Sequence, residues 1–332
     1  MQIAVIGAGI NGLSVAVNLL ESFPEVKVTI FTEATTPNTT GDVAAGLWKP
    51  YAISEDDHQL KKWCRSTYGF LSKFIANNPK HHKYGLCYID VFELSNEPMK
   101  MKLYNDIVDS SHFMNEAELK RYPTFRYGVA STTILAEGQK ILSYFNDRFK
   151  QLGGMIKVQQ VTNFDEIQKL GNFPIVINCT GLGSRKLCND DDIYPVRGQV
   201  IRIHAPWIKH CIMDESHYII PQSDGVVVLG GTTQAHNWNT LPDENDTKYI
   251  LNGCQKLLKG LENCNILSVN VGLRPRRKAV RLEKESRTNE ITGNKYTLIH
   301  NYGHGGSGFT LFWGCSENVV QLVTDVMLKA KL

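Results

Sequence analysis

The sequence predicts an α/β fold: a doubly wound, Rossmann-type unit with a parallel sheet that binds a dinucleotide, followed by a second domain of α+β character. Three observations predict it. Ile3-Ala4-Val5-Ile6 reads as a buried parallel strand and runs directly into Gly7-Ala8-Gly9-Ile10-Asn11-Gly12 and an apolar helical pattern. Val26-Lys27-Val28-Thr29-Ile30-Phe31-Thr32 reads as the next strand, with Glu33 at its end about 20 residues beyond the glycines, where a carboxylate accepts hydrogen bonds from a ribose hydroxyl. From Tyr194 onward the pattern changes to alternating strands and a tight hairpin.

The glycine turn is expected to offer bare backbone N–H groups at a helix N-terminus, whose partial positive charge suits a pyrophosphate without any lysine. The helix runs from Asn11 to about Phe23, with Leu13, Val15, Val17, Leu19 and Leu20 as its apolar residues. The stretch Thr39-Thr40-Gly41-Asp42-Val43-Ala44-Ala45-Gly46-Leu47-Trp48-Lys49-Pro50-Tyr51 is rich in small residues, which lets a flat ligand lie against its backbone. An amphipathic helix follows from His58 to about Asn77, burying Trp63, Tyr68, Phe70, Leu71 and Phe74. Residues 84–126 mix short strands with a helix and carry no site signature.

A helix between Glu137 and Leu152 precedes a strand around Ile156-Lys157-Val158. Pro174-Ile175-Val176-Ile177-Asn178-Cys179-Thr180-Gly181 repeats the strand-into-glycine grammar, and its expected role is to bring backbone to the other side of the nucleotide. Tyr194 to Ile203 alternates as a half-exposed strand. Tyr218-Ile219-Ile220-Pro221 and Val226-Val227-Val228-Leu229-Gly230 form a hairpin about Ser223-Asp224-Gly225. Val269, Val271 and Leu273 alternate with Asn270, Gly272 and Arg274, so Arg274 points away from the apolar set, and Pro275 ends that strand. His300 to Gly308 is a glycine-rich loop, and Phe309, Phe312, Ser316, Val319, Val320, Val323 and Met327 then recur on one helical face.

Composition excludes other classes. The 332 residues, 42% of them hydrophobic, are enough for two modest cores. A net charge of +3 gives no field for a nucleic-acid partner. No run of about 18 apolar residues and no signal-peptide layout occur, so an intracellular, soluble protein is expected. The eight cysteines form no C-x-x-C pair and are read as small core residues; no metal site is expected. Ala330-Lys331-Leu332 is a conservative relative of the S-K-L peroxisomal address, informative where the chemistry produces peroxide.

The glycine turn, Asp42-Val43-Ala44-Ala45-Gly46-Leu47-Trp48, Pro195-Val196-Arg197-Gly198-Gln199, Leu229-Gly230-Gly231, Gly272-Leu273-Arg274-Pro275 and His300-Asn301-Tyr302-Gly303-His304-Gly305-Gly306 occur in the order found in D-amino-acid and D-aspartate oxidases. The chain resembles that family over its whole length. The resemblance implies FAD in a discontinuous Rossmann-type domain (1–55, 139–190 and 296–332) and substrate under a mostly antiparallel sheet (56–138 and 191–295). It implies oxidative deamination: the D-amino acid becomes an imino acid and then a 2-oxo acid with ammonia, and dioxygen reoxidises the flavin to give hydrogen peroxide. It also implies a peroxisomal address read by the import receptor, and neither nucleic-acid nor membrane partners.

The cofactor contacts implied are Gly7, Ala8, Gly9, Ile10, Asn11, Gly12, Glu33, Thr39, Thr40, Ala45, Gly46, Leu47, Val161, Thr180, Gly181, Gly305, Gly306, Ser307, Gly308, Phe309 and Thr310. The substrate contacts implied are Arg274 on the α-carboxylate, Tyr218 beside it, and the Gly306 carbonyl on the amine. A bidentate guanidinium is the natural clamp for a carboxylate. Hydride removal from Cα then needs a neutral amine and a held carbon, so positioning is the main contribution and no general base is required. His304 is read as a loop histidine bonded to backbone, not as a base.

Within the family, the short segment Met213-Asp214-Glu215-Ser216-His217 lacks a second lid tyrosine, and together with Gly181-Leu182-Gly183-Ser184-Arg185 it favours D-aspartate and D-glutamate as substrates. Against that, the arginines expected near Met213 and at Thr233 are absent. A buried side-chain carboxylate would then need another cation, with His217, Arg276 and Lys49 as candidates. The alternatives are an oxidase of neutral D-amino acids, a flavin-binding protein without turnover, or an NAD-dependent dehydrogenase on the same fold.

Overall fold

The computed structural model describes residues 1–50 and 58–329; Tyr51 of the small-residue stretch and the Ala330-Lys331-Leu332 tail lie outside the described residues. In chain order the strands are β1 (Gln2–Ile6), β2 (Lys27–Thr32), β3 (Leu86–Ser95), β4 (Ser110–Phe113), β5 (Tyr127–Ala136), β6 (Met155–Val158), β7 (Ile175–Asn178), β8 (Tyr194–His204), β9 (Cys211–Met213), β10 (Tyr218–Pro221), β11 (Val226–Gly230), β12 (Gln234–Ala235), β13 (Ile266–Thr288) and β14 (Lys295–His304). The helices are α1 (Ile10–Ser22), α2 (Thr40–Val43), α3 (His58–Asn77), α4 (Glu116–Leu119), α5 (Gly138–Gln151), α6 (Phe164–Ile167), α7 (Ser184–Leu187), α8 (Glu244–Leu257) and α9 (Gly308–Lys329). Among the described residues no helix is long and apolar enough to cross a membrane.

Two compact units divide the chain: Met1–Asp42, Ile141–Pro195 and Arg274–Leu332 form the first, and Val43–Lys140 with Val196–Leu273 the second. The expected boundary at 295/296 thus falls earlier, at 273/274. The cause is β13, which does not stop at Pro275. A proline forfeits only its own donor, and its carbonyl is satisfied by the Gly305 N–H at 2.9 Å. The strand then pairs antiparallel with β14, Arg276 opposite His304 and, past an irregularity, Arg281 opposite Tyr302.

In the first unit the order β6-β2-β1-β7-β14 is parallel throughout, with Ile3 aligned to Val28 on one side and to Ile175 on the other, and the later part of β13 adds an antiparallel edge. Both neighbours cover β1, so its residues from Ile3 to Ile6 are buried as a continuous apolar run. Ala4, Ile6, Phe31, Phe164, Phe173, Val176 and Leu298 pack as one core cluster. Across the sheet's other layer, α1 and α9 run side by side in the same direction: the Ser14 hydroxyl donates to the Phe312 carbonyl at 3.5 Å, and Asn18 Nδ2 donates to Ser316 Oγ at 2.8 Å.

The second unit carries the order β4-β5-β3-β9-β10-β11-β8, with the first residues of β13 beside β8. The pairs β4–β5, β5–β3, β9–β10, β10–β11 and β11–β8 are antiparallel, and β3 with β9 is parallel. The β10–β11 hairpin has Tyr218 opposite Gly230 and Pro221 opposite Val227, about a turn in which Gly225 takes a φ of +73°. On one face, Ile212, Ile219, Val227 and Leu229 pack with Ile250, Cys254 and Leu257 of α8. On the other, Val91, Cys211, Met213 and Ile220 pack with Leu135, Ala45, Leu47 and Tyr218.

The half-exposed alternation expected of β8 is not what forms, since all but three of its residues are buried. Its polar positions are covered and satisfied. Arg197, 1% exposed, donates to the carbonyls of Asn239 and Leu241, to Gln234 and to Asp246, while Gln199 reaches the Asp243 carbonyl and Thr247. A polar residue is buried at tolerable cost when its donors are all used.

Candidate active site

The glycine turn sits at the carboxyl end of β1, as in doubly wound sheets generally. Three glycines there do three different things. Gly7 takes a φ of +103°, and a Cβ on it would stand 2.6 Å from the Cys179 carbonyl oxygen, so it lets the turn pass against the end of β7. Gly12 lets α1 approach the turn, because its Cβ would meet the Gly7 carbonyl oxygen at 1.9 Å. Gly9 has ordinary extended backbone, φ −74° and ψ −178°, and a Cβ there would meet nothing within 4 Å. Neither conformation nor protein packing demands glycine at that position. The open space over it fits a cofactor phosphate lying against the backbone.

One expectation for the turn needs correcting. The Gly7 N–H bonds the Phe31 carbonyl at 2.8 Å and the Ala8 N–H bonds the Thr32 hydroxyl at 3.2 Å, so these two donors are already used. The donors for an anion are instead at the start of α1, from Gly9 to Asn11, where an α-helix has no partners of its own to offer. Thr32 in turn donates to the Ala34 carbonyl at 2.6 Å and fixes the chain before Glu33. Glu33 is exposed and faces Gln160 Nε2 at 3.3 Å, open to a ribose. Val161, next in the chain, packs on the Phe31 and Phe164 cluster.

Other expected contacts gather on the same unit. Thr180 follows β7 and is held through Asn178, which accepts from its N–H at 3.1 Å and its hydroxyl at 2.8 Å; Gly181 then takes a φ of +54°. Asp42, almost fully buried, accepts from the Thr36 hydroxyl and from the Thr39 N–H and hydroxyl, which fixes Thr39 and Thr40 at the start of α2. Gly41 lies against Phe309, whose ring a Cβ would meet at 3.4 Å. Gly308 similarly faces Ile10 at 3.7 Å. The N-termini of α1 and α9 therefore lie together at one end of the parallel sheet. Their dipoles add where negative charge on a cofactor would be stabilised.

His304 differs from its expected role. It is the last residue of β14, buried, and its Nδ1 lies 3.2 Å from Asn11 Nδ2, so its partner is a side chain and not backbone. Burial pulls its pKa down to about 4, which keeps the ring neutral. It ties the glycine turn to the Gly305–Gly306 loop. Its Nε2 and the Asn11 Oδ1 are buried without a hydrogen-bond partner among the described residues. Ser307 is buried, donates its N–H to the His304 carbonyl at 2.9 Å, and its own carbonyl accepts from Thr310 and Leu311 as α9 begins. Gly306 is exposed between them.

The remaining expected residues divide between the units. Arg274 belongs to the first, on β13. Ala45, Gly46, Leu47 and Tyr218 belong to the second, where Ala45, Leu47 and Tyr218 pack on its β3–β9–β10 face. Gly46, φ +84°, pairs its carbonyl with the Ala136 N–H at 2.7 Å, and Leu47 bridges Leu135, so this stretch is stitched to β5 and not a free loop. The candidate cations have their own surroundings. His217 lies 3.6 Å from Asp214 with its ring 4.6 Å from that of Tyr249 and tilted 42° to it, while Lys49 is ion-paired to Glu93 at 2.6 Å and touches Met213 Sδ at 3.1 Å. The Lys49–Glu93 pair was invisible in the sequence. All eight cysteines are free, and among the described residues no group of His, Cys, Asp and Glu is gathered to hold a metal.

Comparison with known proteins gives the site its context. Residues 2–322 match the family described as FAD dependent oxidoreductase (DAO). The chain is 74% identical to a D-amino acid oxidase of Dugesia ryukyuensis over 332 residues, all of both chains. It is 38% identical to the D-aspartate oxidase of Homo sapiens over 330 residues, covering 98% of this chain and 95% of that one. The crystal structure of glycine oxidase from Bacillus cereus shares the fold, with a TM-score of 0.79 at 21% identity, over 98% of this chain and 95% of the other.

Proposed function

This chain belongs to the FAD-dependent oxidoreductase family, its cofactor is FAD, and on that premise we propose that it is an oxidase of D-amino acids, yielding a 2-oxo acid, ammonia and hydrogen peroxide. The observation that carries the proposal is the 74% identity, without loss of coverage on either side, to a protein named D-amino acid oxidase. Bound FAD supplies the hydride acceptor and returns electrons to dioxygen. The chain's own residues hold the substrate. Arg274 takes the α-carboxylate in a bidentate contact, the Tyr218 hydroxyl adds a hydrogen bond, and the Gly306 carbonyl accepts from the amine.

The acidic preference expected from the short Met213–His217 segment has less support than the neutral alternative. The full-length relative at 74% carries the broader name, the D-aspartate oxidase stands at 38%, and Met213 and Thr233 stand where an acidic preference calls for arginines. We therefore take neutral D-amino acids as the better substrates. A peroxide-coupled screen of D-amino acids beside their L-enantiomers tests this: faster oxidation of D-alanine or D-methionine than of D-aspartate is expected. The reverse order at every concentration restores the acidic reading, and activity on L-amino acids alone overturns the proposal.

We further propose the peroxisomal matrix as its location, reached through the import receptor that reads Ala330-Lys331-Leu332. The peroxide product supports this. A fluorescent protein carrying that tripeptide at its C-terminus should enter peroxisomes, and a diffuse cytosolic signal would refute it.

A further inference from the structure

Where β13 enters the first unit it carries a cation that the unit does not neutralise. Arg276 is partly buried, and its neighbours along the strand are paired: Arg277 lies 3.0 Å from Asp190 and Arg281 lies 2.7 Å from Glu283. Arg276 itself makes neither an ion pair nor a side-chain hydrogen bond among the described residues. A guanidinium drawn off the open surface, with all its donors unused, calls for an anion.

The strand fixes which side it serves. Successive side chains leave opposite faces; Arg277 turns to Asp190, so Arg276 leaves the other face. Its partner in the ladder is His304, and residues directly opposite share a face. The Nδ1 of that histidine lies 3.2 Å from Asn11 Nδ2, in the glycine turn at the start of α1. The loop beyond it also borders Arg276: the Gly305 N–H bonds the Pro275 carbonyl at 2.9 Å, and a Cβ on Gly305 would stand 3.9 Å from Arg276 Cα. Arg274, two residues earlier, shares the face but lies farther from His304 along the strand. Of the two, Arg276 is the nearer to the glycine turn.

We infer that the Arg276 guanidinium binds the pyrophosphate of FAD, adding a full charge to the backbone donors at the start of α1. The inference rests on FAD as the cofactor and not on the substrate. A helix N-terminus contributes about half a positive charge, so the starts of α1 and α9 together leave a doubly charged pyrophosphate about half neutralised. The residues from Gly7 to Gly12 include no cation that could supply the rest. The Arg276 fork supplies it and can take two phosphate oxygens at once. The charge thus comes from the far end of the chain, through the pairing of β13 with β14. From sequence alone Arg276 is a candidate for a substrate's side-chain carboxylate; the contact between His304 and Asn11 is what favours the cofactor.

The test dilutes the FAD-loaded protein and reads the released FAD by its fluorescence, at low and at high salt, in the unaltered protein and in Arg276→Met, Arg276→Gln and Arg276→Lys. Arg276→Met should raise the FAD dissociation constant at least about tenfold, the loss expected of a charge-assisted contact. It should also flatten the rise of that constant with salt, since the ionic part of the binding is gone. Arg276→Gln should do the same and serves where the methionine variant fails to fold, while Arg276→Lys, with its charge kept, should recover part of the loss. ADP, which carries the pyrophosphate and no flavin, should lose affinity by a similar factor when it is used to displace FAD. Dissociation constants within about twofold of the unaltered protein in the neutral variants, with the same salt dependence, overturn the inference. So does weaker FAD binding with unchanged affinity for ADP, which would put the guanidinium on the flavin instead. An unaltered protein that takes up no FAD refutes the cofactor on which the inference rests.

Discussion

The phenol ring of Tyr218 lies across Gly230: a Cβ built on that glycine would stand 2.2 Å from the ring Cζ and 2.3 Å from the hydroxyl oxygen. The two residues are directly paired on β10 and β11, and the glycine's missing side chain is what lets the ring lie over the strand. Gly230→Ala should therefore push the hydroxyl away from its position while leaving FAD bound. Misplacing a substrate-positioning group by about 1 Å costs on the order of 10²-fold in kcat/KM. Steady-state kinetics on D-alanine with the flavin spectrum as control checks it, and kinetics like those of the unaltered protein would remove Tyr218 from the site.

Gly9 and Gly12 should separate cofactor binding from folding. A Cβ on Gly9 meets no protein atom within 4 Å, so Gly9→Val should purify colourless yet melt like the flavin-stripped unaltered protein. Gly12→Ala drives a methyl into the Gly7 carbonyl and should lower the melting temperature as well. Full flavin occupancy in Gly9→Val would contradict the placement of the pyrophosphate.

Arg274→Ala should keep flavin and lose substrate. Removing one partner of a charge-assisted pair costs about 2–5 kcal/mol, read here as a large rise in KM for D-alanine. Lysine at the same place should recover only part of the loss, since an ammonium cannot make the bidentate contact. Unchanged kinetics in the alanine variant would end the assignment.

Asp190 predicts a pH dependence of stability in the first unit. Burial alone would raise its pKa, but the Tyr302 hydroxyl at 2.6 Å and the Arg277 guanidinium at 3.0 Å outweigh burial and hold the carboxyl below the usual range. A carboxylate with a depressed folded-state pKa contributes stability that is fully present above its unfolded value, about 3.9, and is lost as pH falls through the lower folded value. Asp190→Asn should destabilise the protein at pH 6 to 7, and the difference should shrink as pH drops below about 4. Denaturant unfolding of both proteins across that range measures it; a gap independent of pH would show that the charge is not what matters.

How far the sequence foretold this molecule depended on the distance between interacting residues. The turn from β1 into α1, the end of α3 at Asn77, and the β10–β11 hairpin are local patterns of apolar spacing and turn residues, and they form as read. The burial of β8 could not be read locally. Arg197 and Gln199 look solvent-facing until Gln234, Asp243 and Asp246 come over them from beyond the hairpin. Pro275 looked like a terminus because its donor is missing, yet Gly305 needed only its acceptor. The Asn11–His304 contact and the Lys49–Glu93 pair join residues far apart in the chain. Their partners are set by the fold and have no spacing to announce them.

The most direct test of the central claim is an anaerobic titration of the purified protein with D-alanine and, separately, with L-alanine, followed by admission of oxygen. The account predicts visible flavin absorbance that D-alanine bleaches and oxygen restores, with one hydrogen peroxide formed per turnover and no response to L-alanine. A flavin spectrum that no D-amino acid bleaches, or one bleached only by the L-enantiomer, would contradict it.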